Sequence, residues 1–315
     1  MDFEHRILIT GANGFVGSWL LRELEQRKAH HAITVLPVGH GVTTFKTVDI
    51  TDNMRVSDLI QETQPTAVIH LAAVAAPAEA QKAPYQAWDI NVKGTMNLAY
   101  SVLKHVPNAR FIYISTSEVY GASFLTAEGK SVSEQTLLQP LTVYGASKAA
   151  ADIMIAQMVQ NGLQAVRFRP FNHTGPEQTG SYVVPSFVRQ IAEIRKGSIP
   201  PVMHVGNLHA RRDFLDVRDV VRAYADAALN DIPQAIGKAF NLATGEPVSI
   251  QSILDQLIHL SDMEISLAVD PQKLRDNDIP VASGNAEEVW SIYGWKPAIP
   301  FEKTLSDTLA SMSSQ

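Results

Sequence analysis

A tyrosine and a lysine stand four positions apart in the segment TVYGASKAAADIM, as Tyr144 and Lys148. Two residues with this spacing at the start of a helix lie on one face, about one turn apart. A phenol normally titrates near pH ~10, and an ammonium group fixed beside it favours the phenolate and lowers that pKa. The pair can therefore exchange a proton with a substrate oxygen. The ordinary alternative is a surface lysine beside a half-buried tyrosine, and the surrounding elements have to decide between the two.

The elements that would position this pair alternate between strands and helices. Short apolar runs predict strands at RILIT (6–10), AITVLP, TAVIHLA, RFIYIS and QAVRFRP, with helical patterns between them, and a further strand is expected just before Asp49. Alternation of this kind indicates a parallel sheet with helices on both faces. We therefore predict a doubly wound, Rossmann-like α/β fold whose ligands bind at the carboxyl ends of the strands.

The pattern changes after Pro170, where the segment FNHTGPEQTGSYVVP is typical of a loop. Helix and strand patterns follow it, so a smaller C-terminal substrate domain is expected to interleave with the first domain. We assign residues 1–171 and about 214–242 to a dinucleotide-binding domain, and residues 172–213 and about 243–315 to a substrate-binding domain.

Composition excludes several classes of function. Hydrophobic residues make up 45% and charged residues 18% of the chain, which is typical of an ordinary globular protein. The net charge of -6 and the lack of a long basic run argue against nucleic acid or a membrane as the main partner. The chain has no cysteine for thiolate chemistry, and its ten histidines lack metal-ligand spacing, so no metal is expected. No secretory or membrane-spanning segment is evident, which predicts a cytoplasmic protein.

Three glycines follow the first predicted strand directly, as Gly11, Gly14 and Gly17 in ITGANGFVGSWL. Glycines there permit a tight turn, a close approach of the backbone to a pyrophosphate, and close packing of helix on strand. This arrangement predicts a dinucleotide site. The end of the second strand carries neither the acidic residue that binds the ribose of NAD nor an arginine for the phosphate of NADP. Both cofactors therefore stay open. His40 is able to reach a phosphate, and Asp49 can accept from the adenine or cap a helix.

The motifs TGANGFVG, HLAA, YISTSEVYG and YGASK occur together in this order. With them, nearly the whole chain resembles the extended short-chain dehydrogenase/reductase family, in its sugar-nucleotide branch. The later segments RPFNHTGP and VGNLHARRDFLDVRDVVRAY are similar to those of reductases that act on GDP-4-keto-6-deoxy-D-mannose. The resemblance implies NAD(P)H-dependent reduction of the 4-keto group of a nucleotide-linked 6-deoxy-4-keto-hexose, most readily a GDP-linked one. It also implies a homodimer that pairs through helices at about 92–104 and 146–160.

The resemblance implies roles for four catalytic residues. Thr116 would hydrogen-bond the substrate carbonyl oxygen, Tyr144 would donate a proton to it, and Lys148 would lower the pKa of the tyrosine and bind the nicotinamide ribose. In dehydratase relatives a glutamate at the position of Glu118 acts as a base on the sugar ring. A reductase needs no such base, so Glu118 is either a base or a hydrogen-bond partner.

The same resemblance implies two sets of binding residues. The cofactor set is Gly11, Asn13, Gly14, Phe15, Val16, Gly17, His40, Asp49, Ile50, Leu71, Ala72, Ala73, Asn91, Ser115, Tyr144, Lys148, Pro170 and His173. The substrate set is Thr116, Ser117, Asn172, Val184, Asn207, Arg212 and Arg275, of which Asn172 and the two arginines would clamp the diphosphate. Val184 and Asn207 would hold the base and ribose.

Two departures from the family pattern bear on the sugar. Apolar residues, Val74 to Ala76, stand where polar ones are usual, and Glu177 replaces a glycine in GPEQ, near the expected substrate. Two further functions therefore compete with the reductase. One is a nucleotide-sugar epimerase or 4,6-dehydratase, which Glu118 favours. The other is a non-catalytic dinucleotide sensor, a class that tends to lose the tyrosine–lysine pair that this chain keeps.

Overall fold

The structure is a computed structural model that describes residues 4–39, 45–179, 182–273 and 279–313. The first half contains β1 (His5–Thr10), α1 (Phe15–Arg27), β2 (Ile33–Val38), α2 (Asn53–Thr63), β3 (Ala67–His70), α3 (Pro77–Lys82), α4 (Pro84–Trp88), a π-helical turn (Asp89–Gly94), α5 (Thr95–His105), β4 (Arg110–Ile114), a 3₁₀ turn (Ser117–Val119), α6 (Ser123–Thr126) and α7 (Val143–Val159).

The second half contains β5 (Ala165–Pro170), β6 (Asn172–Thr174), α8 (Val183–Arg195), β7 (Val202–Val205), β8 (Arg211–Arg212), β9 (Phe214–Asp216), α9 (Val217–Leu229), a 3₁₀ turn (Pro233–Ala235), β10 (Ala239–Leu242), β11 (Val248–Ser249), α10 (Ile250–Ser261), β12 (Ser266–Val269), a 3₁₀ turn (Pro271–Lys273), β13 (Val281–Ala282), α11 (Glu287–Tyr293) and α12 (Phe301–Ser313). Within the described ranges, none of these helices has both the length and the apolar character that crossing a bilayer requires.

A six-stranded sheet with the order β10-β5-β4-β3-β1-β2 forms the centre of the protein. All of its strand pairs are parallel. The chain order reverses between β1 and β3, and a crevice opens beyond their carboxyl ends at such a point. The predicted doubly wound α/β fold is confirmed. The strand expected before Asp49 is not formed, because the described residues there make only an isolated bridge between Val38 and Lys46.

Both faces of the sheet are covered, as a parallel sheet requires. Side chains alternate along each strand, so Ile7 and Ile9 pack with α1 and α9, while Leu8 packs on the other face with α2, α5 and α7. The strands are therefore apolar at consecutive positions, which is why they appeared in the sequence as short continuous apolar runs.

A third apolar cluster lies in the C-terminal part, where α8, α10 and α12 pack around Met203 and Val205. The expected loop after Pro170 contains β6, which pairs in parallel with β9. That strand is too short for its apolar pattern to be recognised among the glycines and prolines around it. Val289 on α11 and Trp295 pack with the first cluster rather than the third. The exact division into two domains stays a prediction.

The turn after β1 depends on glycine at two positions. Gly11 has a φ of +73°, and a β-carbon there would lie 2.7 Å from the nitrogen of Ala72, behind β3. A β-carbon on Gly17 would lie 2.4 Å from the carbonyl oxygen of Gly11. The first glycine therefore brings β1 close to the segment after β3, and the third brings α1 close to the loop.

We expect Gly11→Ala to destabilise the protein more than Gly129→Ala does. Gly129 has a similar φ of +82° but no atom within 4 Å of a β-carbon, so it isolates the cost of the left-handed backbone, about 1–2 kcal/mol. Gly11→Ala adds a backbone clash worth ~1–3 kcal/mol. Urea unfolding of the two variants measures the difference, and equal losses would show that the loop relaxes around the added methyl group.

Candidate active site

Tyr144 lies in the first turn of α7, and its phenol is near enough to the Thr116 hydroxyl, which follows β4, for that hydroxyl to lower the pKa of the phenol. The Thr116 hydroxyl also accepts from the backbone N–H of Glu118 at 3.2 Å, which starts the 3₁₀ turn. The helix and the strand end therefore bring the predicted tyrosine and threonine together at the carboxyl edge of the sheet. Two neighbouring hydroxyl groups at this place can both bind one substrate oxygen.

Lys148 lies one turn further along α7 and is buried, with 3% of its surface exposed. Its ammonium nitrogen lies 4.3 Å from the centroid of the Tyr113 ring in β4. Burial lowers the pKa of Lys148 to about 7, and the charge of Asp152 opposes that shift. The surface alternative for this lysine is therefore wrong.

The pKa of Tyr144 moves in the direction opposite to our prediction. Burial raises it, and the carboxylate of Glu118 raises it further, whereas the nearby Thr116 hydroxyl lowers it. The spacing of Tyr144 and Lys148 gave their common face but not the desolvation of the phenol. The structure thus keeps Tyr144 protonated, which is the form that a proton donor needs.

Asp152 supplies the negative charge nearest to Lys148 on α7. Its side chain is fully buried and pairs with Arg167 at 2.7 Å and with Arg169 at 3.0 Å. Burial alone would raise the pKa of Asp152, but the hydrogen bonds and charges of Arg169, with the charge of Arg167, hold the pKa below its usual value. Arg169 also donates to the hydroxyl of Tyr120 at 3.1 Å. A charged cluster thus fixes the buried side of the helix that carries Tyr144.

Glu118 is connected to the start of the same helix. Thr142 caps α7 by accepting from the N–H of Gly145 at 2.9 Å, and its hydroxyl donates to the Glu118 carboxylate at 3.1 Å. A carboxylate beside a helix N-terminus is favoured by the partial positive charge there. Glu118 therefore contacts the start of α7, the helix that carries Tyr144, and both of its predicted roles are compatible with this position.

The predicted cofactor residues come from several parts of the chain and meet at one edge of the sheet. Gly11, Asn13, Gly14, Phe15, Val16 and Gly17 form the loop after β1 and the start of α1, Leu71, Ala72 and Ala73 follow β3, Ser115 follows β4, and Pro170 ends β5 with His173 in the adjoining β6. His173 is held by its Nδ1, which donates to the carbonyl of Phe171 at 2.9 Å. These residues therefore lie at the ends of neighbouring strands, and their contact with a dinucleotide stays a prediction.

A buried histidine joins the two sides of this crevice. The hydroxyl of Thr10 lies 2.7 Å from Nδ1 of His70, and Nε2 of His70 lies 2.9 Å from the hydroxyl of Thr95. Thr95 donates its own proton to the carbonyl of Asn91, so it accepts from His70. Burial lowers the pKa of His70 to about 3, with a further contribution from the charge of Lys148, and the imidazole is neutral.

Asn91 is a predicted cofactor residue whose amide is used within the protein. It accepts from the N–H of Val74 at 2.8 Å, and it donates to the carbonyl of Val74 and to the hydroxyl of Ser147. Ser147 in turn donates to the carbonyl of Tyr144 at 2.8 Å. Asn91 therefore connects the segment after β3 to α7 through hydrogen bonds, and its direct contact with a cofactor stays a prediction.

At the adenine side, the structure favours a structural use of the acidic residues. The N-cap of α2 is Asp52, and the carboxylate of Asp49 accepts from the backbone and hydroxyl of Thr51. Ile50 is buried and would collide with a β-carbon on Gly94 in the π-helical turn. His40 lies outside the described residues.

The predicted substrate residues are less uniformly placed. Asn172 is exposed at the start of β6, Ser117 is buried in the 3₁₀ turn, and Asn207 accepts from the N–H of His209 at 3.0 Å. Arg212 donates to the carbonyl of Ile279 at 2.6 Å. Val184 is fully buried in the third cluster, and its contact with a base or ribose stays a prediction. Arg275 lies outside the described residues.

Glu177, the departure from the family pattern in GPEQ, contacts α1 and α12 in this structure. It pairs with Arg22 on α1 at 2.7 Å, and its N–H donates to the hydroxyl of Ser311 on α12. Its φ of +68° lies in the left-handed region, which explains why a glycine is usual there. In the part of the chain that the structure describes, no cluster of histidine and carboxylate side chains has the arrangement of a metal site.

Comparison with known proteins agrees with this geometry. The family model for GDP-mannose 4,6 dehydratase matches residues 8–308. The GDP-6-deoxy-D-mannose reductase of Pseudomonas aeruginosa is 31% identical over 311 residues, with 98% of each chain covered. The GDP-6-deoxy-D-talose 4-dehydrogenase of Aggregatibacter actinomycetemcomitans is 26% identical over 292 residues, covering 92% of this chain and 91% of that protein.

The chain belongs to the GDP-mannose 4,6-dehydratase family.

Solved structures extend the match to three dimensions. RMD from Pseudomonas aeruginosa complexed with NADPH superposes with a TM-score of 0.87 at 31% identity, covering 98% of this chain and 99% of that one. The UDP-glucose 4-epimerase of Thermotoga maritima with UDP-glucose has a TM-score of 0.84 at 22% identity. The match covers 98% of this chain and 99% of that one and shows the same fold. The predicted resemblance to NAD(P)-dependent extended short-chain dehydrogenases/reductases is confirmed.

Sequence reasoning missed two residues of this family member's site. Thr142 caps α7 and donates a hydrogen bond to Glu118. Its position three residues before Gly145 in LTVYG is a recognisable capping signal. Tyr182 stands at the N-cap of α8, and its pKa is raised by burial and by the charges of Glu79 and Glu118. It also raises the pKa of Tyr144. No signal within its own segment identified it.

We expect Lys148→Met to stabilise the ligand-free protein at neutral pH. The folded protein lowers the pKa of Lys148 from 10.5 to about 7, so the buried ammonium costs free energy that the unfolded chain does not pay. The cost is absent above pH ~10, grows as the pH falls towards 7, and reaches roughly a few kcal/mol below that. Urea unfolding at pH 7 and pH 10 measures it, with the exposed Lys93→Met as the control. A stability gain that does not depend on pH would contradict this account.

Proposed function

We propose that the protein reduces the 4-keto group of a nucleotide-linked 6-deoxy-4-keto-hexose, most specifically GDP-4-keto-6-deoxy-D-mannose. The observation that carries the proposal is the protonated Tyr144 phenol, which lies near Thr116 and one helical turn from the buried Lys148. The similarity to the Pseudomonas aeruginosa GDP-6-deoxy-D-mannose reductase over nearly the full length supports the choice of substrate.

Thr116, Tyr144 and Lys148 each have a separate role in the proposed reduction. When bound, the reduced nicotinamide supplies a hydride to the carbonyl carbon. Thr116 hydrogen-bonds the carbonyl oxygen and orients it, and Tyr144 transfers its proton to that oxygen as negative charge develops there. The product is an alcohol, and the proton that it gains is the one that the phenol loses. Lys148 then stabilises the phenolate until solvent restores the proton.

The diphosphate of the substrate would be held on the other side of the crevice. We propose Asn172, Asn207, Arg212 and Arg275 as its contacts, with guanidinium groups providing oriented, charge-assisted hydrogen bonds. Asn172 is exposed at the start of β6, next to the carboxyl end of β5, which supports this placement.

We propose NADPH as the preferred cofactor. At the end of β2, the described residues Val38 and Gly39 offer no carboxylate to accept from an adenosine ribose, which removes the usual basis of NADH preference. The relative from Pseudomonas aeruginosa whose structure holds NADPH supports the same choice. NADH remains the comparison cofactor in every assay.

We expect purified protein to oxidise NADPH when GDP-4-keto-6-deoxy-D-mannose is supplied. The substitution Tyr144→Phe should lower kcat by ~10²–10⁴-fold, because it removes the phenol that donates the proton. The measurement is the loss of nicotinamide absorbance, with NADPH and NADH in parallel. Leu141→Ala, an exposed residue three positions before Tyr144, is the control and should keep the wild-type rate. Failure of both cofactors with wild-type protein would overturn the proposal.

A nucleotide-sugar epimerase or 4,6-dehydratase is the second candidate, because Glu118 lies close to Tyr144 and raises its pKa. Such an enzyme recycles its cofactor, so turnover of a GDP-sugar without added NADPH, abolished in Glu118→Gln, would be the outcome in its favour. A dinucleotide sensor, the remaining candidate, would bind cofactor but give no turnover with any of these sugars.

We further propose a homodimer that pairs through α5 and α7. The outer surfaces of α4, α5 and α7 carry large exposed apolar side chains: Tyr85, Trp88, Met96, Tyr100 and Ile153. Such a group exceeds the scattered apolar residues of an ordinary surface and suits a partner. Sedimentation should give the mass of a dimer for wild-type protein and that of a monomer after Tyr100→Glu combined with Ile153→Glu. A monomeric wild-type protein at micromolar concentration would contradict the proposal.

A further inference from the structure

No side chain of α7 holds the ammonium group of Lys148 by a hydrogen bond in the described part of the chain. The side chain is long and flexible, and its ammonium group must stay close to Tyr144 and to a bound cofactor for either role that we propose. Asp152 acts on it through space, but both carboxylate oxygens of Asp152 are bonded to Arg167 and Arg169. Among the described residues, no hydrogen bond or ion pair joins the side chains of Lys148 and Asp152.

The Tyr113 ring lies directly against the ammonium group. The nitrogen of Lys148 is 4.3 Å from the centroid of the ring, well inside the range of a cation–π contact. Tyr113 is fully buried and Lys148 is nearly so, so water does not screen the attraction. Cation–π contacts are strongest when they are desolvated in this way.

Tyr113 is itself fixed from several sides. It lies in the middle of the sheet, where β4 pairs with His70 of β3 and with Arg167 of β5. Its ring centroid is 6.1 Å from that of His70. Its hydroxyl donates to the backbone carbonyl of Lys148 at 3.3 Å. The same side chain thus contacts Lys148 at both ends, with its ring on the ammonium group and its hydroxyl on the backbone.

We propose that Tyr113 is the positioning residue of this site: the face of its ring holds the Lys148 ammonium group in place for Tyr144 and for the cofactor. The inference rests on the proposed function, and it adds a residue that lies outside the YxxxK and glycine motifs. Tyr113 touches neither substrate nor cofactor, because it is enclosed between α7 and the sheet.

Two substitutions of Tyr113 separate the ring from the hydroxyl. Tyr113→Phe keeps the ring face and loses only the hydrogen bond to the Lys148 carbonyl. Tyr113→Leu removes the ring. Phe111→Leu provides a matched control, because Phe111 is fully buried, lies two residues earlier in β4 and packs in the same apolar cluster. The control should lose stability to a similar degree as Tyr113→Leu without disturbing the ammonium group.

We expect Tyr113→Leu to lower kcat by about ten- to thirty-fold, the factor that corresponds to a desolvated cation–π contact. The dissociation constant for NADPH, measured by titration of its fluorescence, should rise by a similar factor, while KM for the nucleotide sugar stays unchanged. Tyr113→Phe should restore kcat and NADPH affinity to within about threefold of wild type, and Phe111→Leu should match wild type in both.

Wild-type kcat and NADPH affinity in folded Tyr113→Leu would overturn the inference, as would equal losses in Phe111→Leu. If Tyr113→Leu does not fold, Tyr113→Met removes the ring with a longer side chain and carries the same expectations. The NADPH titration needs no sugar substrate. Absence of turnover in wild-type protein would therefore count against the proposed function, while the titrations of the four proteins still decide the role of Tyr113.

Discussion

The burial of one positive charge is the constraint on which the rest of this site depends. An isolated ammonium group inside a protein loses its hydration and tends to become neutral, and the pKa of Lys148 near 7 records that tendency. The opposing influences come from Asp152 on the same helix and from the ring of Tyr113. Asp152 in turn keeps its charge because Arg167 and Arg169 surround it. Strand β5, which carries both arginines, is therefore as necessary to the lysine as the helix on which the lysine stands.

Burial shifts the pKa of Tyr144 upwards, whereas it shifts the pKa of Lys148 downwards. Burial and the carboxylate of Glu118 keep the proton on Tyr144, while Thr116 favours its release. A proton donor in a reduction must hold its proton until the substrate oxygen becomes basic, so a raised pKa is consistent with the direction of the proposed reaction. The same carboxylate is bonded to the cap of α7, which couples the charge near the phenol to the start of the helix.

The sequence was most informative where chemistry depends on position along the chain. The spacing of Tyr144 and Lys148 predicted a common helical face, the glycines predicted the turn after β1, and the apolar runs predicted β1 to β5, all of which the structure contains. What it did not predict depends on burial and on contacts between distant segments. The raised pKa of Tyr144 comes from desolvation of the phenol. The Asn91 amide is hydrogen-bonded to Val74 and Ser147, and Val184 is buried in the third apolar cluster. The strand expected before Asp49 failed because an apolar pattern does not guarantee a pairing partner.

The π-helical turn between α4 and α5 links the interior of the protein to its outer surface. A π turn inserts an extra residue into a helix, which changes the direction of the side chains within it. Here Asn91 and Gly94 lie inside it, with Asn91 bonded to the segment after β3, whereas Trp88 and Met96 on either side of it are exposed. One short stretch of backbone therefore carries both the hydrogen bonds to the segment after β3 and the surface that we propose for a partner. A partner that docked on this surface would therefore press on the same backbone that places the Asn91 amide.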